Sequence, residues 1–268
     1  MTGQAEQDQG WSSLGIRTDI PHPARVYDYM LGGSDNFAAD REMAEAGLKA
    51  MPEMLDSSRA NRDFLVRAVR FLAEAGISQF LDIGAGLPTR PSTREVARAV
   101  NPAARVVCAD NDPVVVMRAE AVMTDHDGTA VVRADLRDVD DVLARSSEYL
   151  DLTRPAALLF VAVLHCLADE DDPAGIAAQY TAELAPGSCV VISHSTDEFA
   201  PERTHRASAE AGARGATWVP RSKDAIAGMF GGRELVDPGL VLVSRWRPEG
   251  DPGPNAGRAW TYGGIAKV

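Results

Sequence analysis

The 268-residue chain carries 27 lysines and arginines against 39 aspartates and glutamates, a formal net charge of −12, with 45% hydrophobic and 25% charged residues. That balance is globular; its charge opposes a broad phosphate-binding surface and so argues against nucleic acid as a partner, and no apolar run approaches the ~18 residues that span a bilayer. Small molecules are the partners this composition favours, and a start without the basic and apolar regions of a secretory signal reads as cytoplasmic.

Residues 1–15 open polar and acidic and read as a flexible tail, leaving one domain over 16–268, with a helical lid at 16–55 and an α/β core at 56–268. Between Arg25 and Met54, helix formers are interrupted by Gly32, Gly33 and the turn-forming Ser34-Asp35-Asn36, which predicts two short helices joined by a tight corner. Phe64, Leu65, Ala68, Val69 and Leu72 then recur at helical spacing, with Ser57 or Ser58 as the cap and Gly76 as the stop. Gln79 to Ile83 is a short apolar strand running into Gly84-Ala85-Gly86, and Ser92 with Glu95 forms the capping box of a helix reaching Val100. The unit repeats: Arg105 to Ala109 is a strand, Asp112 caps the next helix, and Pro113 opens it on its way to about Met123.

Further apolar strands are expected at Ala130 to Ala134, Ala157 to Val163 and Cys189 to Ser193, with the acidic run Asp169 to Asp172 capping a helix that begins near Pro173. This alternation predicts an α/β fold with a doubly wound, mostly parallel sheet covered on both faces. Leu240 to Trp246 and Trp260 to Val268 are joined by the Pro/Gly-rich loop Pro248 to Gly257, too short for a crossover helix, and are expected as an antiparallel C-terminal hairpin at one edge. Trp218 and Trp246 read as packing or pocket wall. Cys108, Cys166 and Cys189 lie far apart between apolar neighbours without ligand spacing, so they read as reduced core residues and no metal is expected.

In an open α/β sheet, ligands sit beyond the carboxyl ends of the strands where strand order reverses, and the first such turn here is Asp82-Ile83-Gly84-Ala85-Gly86. Gly84 and Gly86 allow close backbone approach, and Asp110, 24 residues beyond Gly86 at the end of the next strand, suits a ribose. A dinucleotide is poorly served: Thr89 replaces the third glycine, Pro88 lacks a donor, and Asp82 brings a negative charge. Two unit charges ~4 Å apart interact by roughly 4 kcal/mol at an effective dielectric of about 20. A carboxylate there therefore favours an ammonium group, as S-adenosylmethionine offers, and Asp135 after the third strand is placed for the adenine amino group.

These residues resemble those of class I methyltransferases. Arg25-Val26-Tyr27-Asp28-Tyr29, Gly32-Gly33-Ser34-Asp35-Asn36-Phe37, Phe80 to Thr89, Asp110-Asn111-Asp112-Pro113 and Val163-Leu164-His165 together look like the actinobacterial S-adenosylmethionine-dependent methyltransferase family formerly described as a domain of unknown function. One departure is Arg90-Pro91-Ser92, where a more polar, asparagine-containing stretch is expected. The resemblance implies a Rossmann-like seven-stranded sheet and S-adenosyl-L-methionine, or S-adenosyl-L-homocysteine as product. The implied binding set is Tyr27, Asn36, Asp82, Gly84, Gly86, Leu87, Pro88, Asp110, Asn111, Asp135, Leu136 and Ala162, and methyl transfer to a small-molecule acceptor is the implied activity. A non-catalytic regulatory protein binding the same cofactor is the alternative. His165 after the fourth strand and His194 after the fifth are the candidate catalytic residues, with Tyr27 of the lid; the competing reading of each histidine is a wall or supporting hydrogen bond.

Overall fold

The computed structural model of the chain describes residue 11, residues 14–122 and residues 128–268. Most of the tail expected over residues 1–15, and the end of the helix expected near Met123, lie outside the described residues. Of that tail, Trp11 packs edge-on to Phe37 at 5.6 Å between ring centroids, and the neighbouring Ile16 is buried against Leu87, so apolar contacts hold its described part to the fold.

Before the sheet the described residues include α1 (Pro23–Met30), α2 (Ala38–Ala50) and α3 (Glu53–Glu74). The corner between α1 and α2 is the one the glycines predict. A Cβ at Gly33 would stand 1.9 Å from Asp28 Oδ1, while Asp28 Oδ2 accepts from the Asp35 amide at 2.9 Å and the Asn36 side-chain amide at 2.8 Å. α3 begins five residues earlier than a Ser57 cap predicts, with Pro52 at the cap position. Neither serine caps it: Ser58 Oγ donates back to the Met54 carbonyl at 2.8 Å, and Ser57 Oγ accepts from the Trp260 amide at 2.8 Å.

β1 (Gln79–Ile83), α4 (Thr93–Val100), β2 (Arg105–Asp110), α5 (Pro113–Val122), β3 (Thr129–Arg133), α6 (Val139–Ser146) and β4 (Ala157–Val161) follow. The Ser92/Glu95 capping box forms as expected, the Glu95 amide donating to Ser92 Oγ at 3.2 Å and the Ser92 amide to Glu95 Oε2 at 2.8 Å. α7 (Pro173–Ala182) is capped by Asp172, whose Oδ1 accepts from Gly175 at 3.0 Å. β5 (Cys189–Ser195), α8 (Pro201–Ala213), α9 (Lys223–Gly228), β6 (Val241–Leu242) and β7 (Thr261–Lys267) complete the chain.

The seven strands run in the order β3-β2-β1-β4-β5-β7-β6, with β1 to β5 parallel and β7 antiparallel to both neighbours. Strand order reverses between β1 and β4, which opens the crevice at their carboxyl ends. Alternate residues feed two cores: Leu81, Val107, Phe160 and Ile192 meet α6, α7 and α9, whereas Phe80, Val106, Leu159 and Val191 meet α3 and α4.

The C-terminal strands pair antiparallel at one end of the sheet, as expected, but the outer strand is shorter than its apolar run suggests. β7 lies between β5 and β6, and β6 is two residues long because the chain turns into a 3₁₀ segment at Val243–Arg245. The reason is Trp246, which leaves the strand path to enter the core edge-on to Phe64 at 5.4 Å and Phe71 at 5.8 Å between centroids. Arg67 holds that turn, donating to the Trp246 carbonyl at 2.9 Å and the Val243 carbonyl at 2.7 Å. We therefore expect Trp246→Ala to lower unfolding free energy by about 3–5 kcal/mol in urea titration; a loss below about 1 kcal/mol would refute its anchoring role.

Candidate active site

A cavity of about 510 Å³ opens at the strand-order reversal, with a floor from the ends of β1, β2 and β4, one wall from α1 to α3, and another from α8 and the segment before α9. Its floor begins at the glycine turn. Gly84 (φ +66°) and Gly86 (φ +67°) both adopt the left-handed conformation, and a Cβ at Gly84 would stand 2.2 Å from Val163 Cγ2. Nothing lies within 4 Å of where a Gly86 Cβ would stand, so that backbone remains approachable.

The three expected carboxylates all line this cavity, in three different states. Asp110 Oδ2 accepts from the Gly86 amide at 2.9 Å and Oδ1 from the Asp112 amide at 3.0 Å. A carboxylate has about four lone-pair positions, so two remain for ligand hydroxyls while the same side chain sets the turn. Asp82 is buried and accepts from Thr93 Oγ1 at 2.6 Å; burial pushes its carboxyl up to about 6, against the pull of Thr93 and Arg62. The full negative charge expected at the turn is thus tempered by desolvation and a neighbouring cation. Asp135 is held below the ordinary carboxylate range by Arg137, whose Nη2 lies 2.6 Å away.

Asn111, Leu136 and Ala162 also line the cavity, Ala162 at φ +57° where β4 ends. Three expected cofactor residues do not. Leu87 points into the small core with Ile16, Val114 and Val115; Pro88 is exposed outside the turn; the Asn36 amide is consumed by Asp28 and the Gly33 carbonyl. Of the cysteines, Cys108 is buried but Cys166 is a cavity wall.

The wall above the crevice is fixed by one buried chain of hydrogen bonds. The Ala162 amide donates to Ser193 Oγ at 2.9 Å, Ser193 Oγ to Asn61 Oδ1 at 2.6 Å, Asn61 Nδ2 to the Tyr27 hydroxyl at 3.0 Å, and that hydroxyl to the Ser58 carbonyl at 2.8 Å. Tyr27 reaches the cavity as expected, its hydroxyl proton is committed to the Ser58 carbonyl, and burial pushes its pKa to about 12. Beside it Arg62 donates to the Thr89 carbonyl at 2.6 Å and to the Pro91 carbonyl, so the Arg90-Pro91-Ser92 departure is bound to α3.

The two histidines separate. His165 lines the cavity, with Nδ1 accepting from the Ser195 amide at 3.3 Å. Its pKa is driven far below the ordinary value, first by burial and then by His194 and Arg221. A neutral ring accepting at Nδ1 carries its proton on Nε2 and is a donor. His194 is fully buried behind it, at 5.4 Å between ring centroids, and does not line the cavity. The reason is that β5 extends to Ser195 by pairing with β7, which keeps His194 inside the sheet. Its Nδ1 lies 2.7 Å from the Ser195 carbonyl and its Nε2 3.0 Å from Arg221 Nη1; burial lowers its pKa to about 3. Of the two expected histidines, only His165 reaches the cavity, and burial pushes both toward the neutral form.

Arg62, Asn61 and His22 are residues that the sequence reading misses. His22, just before α1, lies in the cavity wall with Nε2 3.3 Å from Asn111 Oδ1 and Nδ1 3.2 Å from Asp112 Oδ2. A signal for the α3 pair exists: Glu53, Ser57 and Asn61 form a polar row at four-residue spacing beside the helix's apolar face, and all three line the cavity.

A family model described as S-adenosyl methyltransferase matches residues 9–268. A DUF574 family protein from Streptomyces avermitilis is 40% identical with a TM-score of 0.89, covering 94% of this chain and 99% of that one. A Thermobifida fusca protein provisionally described as a methyltransferase is 41% identical with a TM-score of 0.86, covering 93% and 95%. An O-methyltransferase family protein from Burkholderia thailandensis, 14% identical with a TM-score of 0.52 over 80% of this chain and 59% of that one, shares the fold. No curated protein matches the chain.

Asn61→Ala would leave the Ser193 and Tyr27 hydroxyls each short of one partner in a buried setting. The expected loss is about 2 kcal/mol or more of unfolding free energy by denaturant titration; an unchanged midpoint would show that the chain of hydrogen bonds does not secure the wall.

Proposed function

The chain belongs to the S-adenosyl methyltransferase family, and from that premise we propose that it transfers a methyl group from S-adenosylmethionine to an oxygen or nitrogen of a small-molecule acceptor held in the same cavity. The observation that carries this reading is the glycine turn flanked by three carboxylates in one cavity that continues well beyond them.

The residues fit the donor. Asp110 retains acceptor capacity for two ribose hydroxyls, Asp135 and Leu136 border the space for the base, and Gly84 to Gly86 with Asp82 and Ala162 face the amino-acid end. When bound, the donor supplies an electrophilic methyl on a positively charged sulfur, open to in-line displacement. The chain supplies position. With Tyr27 pushed to about 12, His194 lowered to about 3 and His165 held neutral, these three groups are unsuited to proton removal at neutral pH. Tyr27 and His165 shape the wall around the acceptor, with His194 packed behind His165, and orientation by itself is worth roughly 7 to 11 kcal/mol. The helices α1 to α3 act as the lid, excluding water on that side and strengthening the electrostatic contacts within.

Calorimetric titration with S-adenosylhomocysteine tests the donor site. Asp110→Ala should weaken binding by at least about tenfold, since hydrogen bonds to charged groups contribute about 1.5–3 kcal/mol; equal affinity would remove the ribose assignment, and no binding by the unaltered chain would sink the reading.

The pH dependence has a definite sign. Asp82 titrates near 6 in the fold, above its unfolded value, so its stability contribution is present at low pH and is lost as pH rises through about 6. An ammonium group favours the ionised form, so affinity for S-adenosylhomocysteine should rise between pH 5 and 7 and proton release should accompany binding. Asp82→Asn should flatten this slope. An equally steep profile in the variant would assign the dependence to another group.

A further inference from the structure

Resting on the methyl-transfer reading above, we propose that His165 reads the methyl acceptor as a hydrogen-bond donor, through its Nε2–H, and that the acceptor therefore presents a neutral carbonyl oxygen to this wall. The place of the proton follows from the partners of two rings. A guanidinium can only donate, so the His194 Nε2, 3.0 Å from Arg221 Nη1, accepts, and His194 carries its proton on Nδ1, 2.7 Å from the Ser195 carbonyl. The amide of the same Ser195 donates to His165 Nδ1 at 3.3 Å, which leaves the proton of that neutral ring on Nε2. The rings meet edge to face, 5.4 Å between centroids and 89° between planes, and Ser195 is itself paired with Thr261 of β7. One tautomer and one ring orientation are thus built in, with His194 as the positioning residue.

Nothing among the described residues uses the proton so placed. His165 Nε2 has no partner there, and it is not among the sealed polar atoms of the fold: it keeps accessible surface, on a half-buried residue that lines the cavity. An apolar group seated against it would strand the N–H away from water. Beside it, Ser195 Oγ accepts from Trp218 Nε1 at 2.9 Å, and its own proton has no acceptor among the described residues. The Cys166 thiol in the same wall stays protonated, since burial pushes it up to about 12, so no thiolate competes for the Nε2 proton. This wall offers donors and lacks a lone pair, which a carbonyl oxygen supplies. An anionic group is opposed by the lining as a whole, which holds six carboxylate residues against three arginines; the neutral carbonyl fits where a carboxylate does not.

The test uses the full chain saturated with S-adenosylhomocysteine. In a nitrogen–proton correlation spectrum of the histidine-labelled chain, the ring assigned to His165 by its loss in His165→Gln should show the Nε2–H tautomer throughout about pH 5 to 8. Its Nε2 signal should move on addition of acetophenone and stay in place with isopropenylbenzene, in which a methylene group replaces the carbonyl oxygen. Calorimetric titration should give acetophenone an affinity about tenfold or more above isopropenylbenzene and above benzoate, since a site built to hydrogen-bond a group rejects the analogue lacking it. His165→Leu should erase the preference over isopropenylbenzene, and His165→Gln, which returns an amide N–H at similar reach, should recover part of it. An Nδ1–H tautomer, a ring that titrates in that range, equal affinity for the two isosteric probes, tighter binding of benzoate, a preference surviving in His165→Leu or no recovery in His165→Gln overturns the proposal. So does a tenfold loss of S-adenosylhomocysteine affinity in His165→Leu, which would assign the proton to the cofactor instead. No binding of S-adenosylhomocysteine by the unaltered chain, beside an intact carbonyl preference, defeats only the methyl-transfer reading.

Discussion

The side-chain amide of Asn61 sits where three parts of the molecule meet, accepting from Ser193 at the end of β5 and donating to Tyr27 of α1, while its own helix is α3. A buried amide tolerates few arrangements, because each unpaired polar atom costs what a hydrogen bond would return. That requirement leaves the N-terminal helices one position over the crevice. Buried Arg25, with Nε 3.1 Å from Asp112 Oδ2, adds a second attachment from α1 to the turn after β2. A sheet alone would present an open crevice; with the helices so attached it presents a walled chamber.

Within that chamber electrostatics divides the labour. Asp110 accepts two backbone amides and so sets the turn, Asp135 is kept charged by Arg137, and Asp82 is desolvated enough to respond to pH near neutrality. His165 on the cavity wall and His194 behind it are pushed toward the neutral form by burial, with Arg221 adding to the effect. Under the methyl-transfer reading proposed above, the part of the cavity that responds to pH is the glycine turn with its carboxylates.

The sheet was legible because its signals are local: β1 and β2 are continuous apolar runs ended by glycine or aspartate, and the Ser92/Glu95 box is a four-residue pattern. Asp82, Asp110 and Asp135 were legible because strand ends follow from strand positions. What escaped depends on contacts between distant segments. His194 seems free of β5 until β7, some seventy residues later, extends the strand, and Trp246 reads as a strand residue until Phe64 and Phe71 are seen to surround it. Leu87 and Pro88 share the glycine motif yet face away, since a tight turn sends successive side chains in different directions. Asn61 and Arg62 look like a solvated helix face until the sheet end is placed beneath them.

The placement of β7 bears on how the protein is made. β5 and β6 are joined only through a strand contributed by residues 261–267, so during vectorial synthesis the parallel half can form while β5 still presents a bare, apolar edge. Such an edge is a template for association with other chains. Escape from aggregation on the ribosome is thereby tied to the arrival of one late segment, and chaperone demand should concentrate in the interval between the emergence of β5 and that of β7.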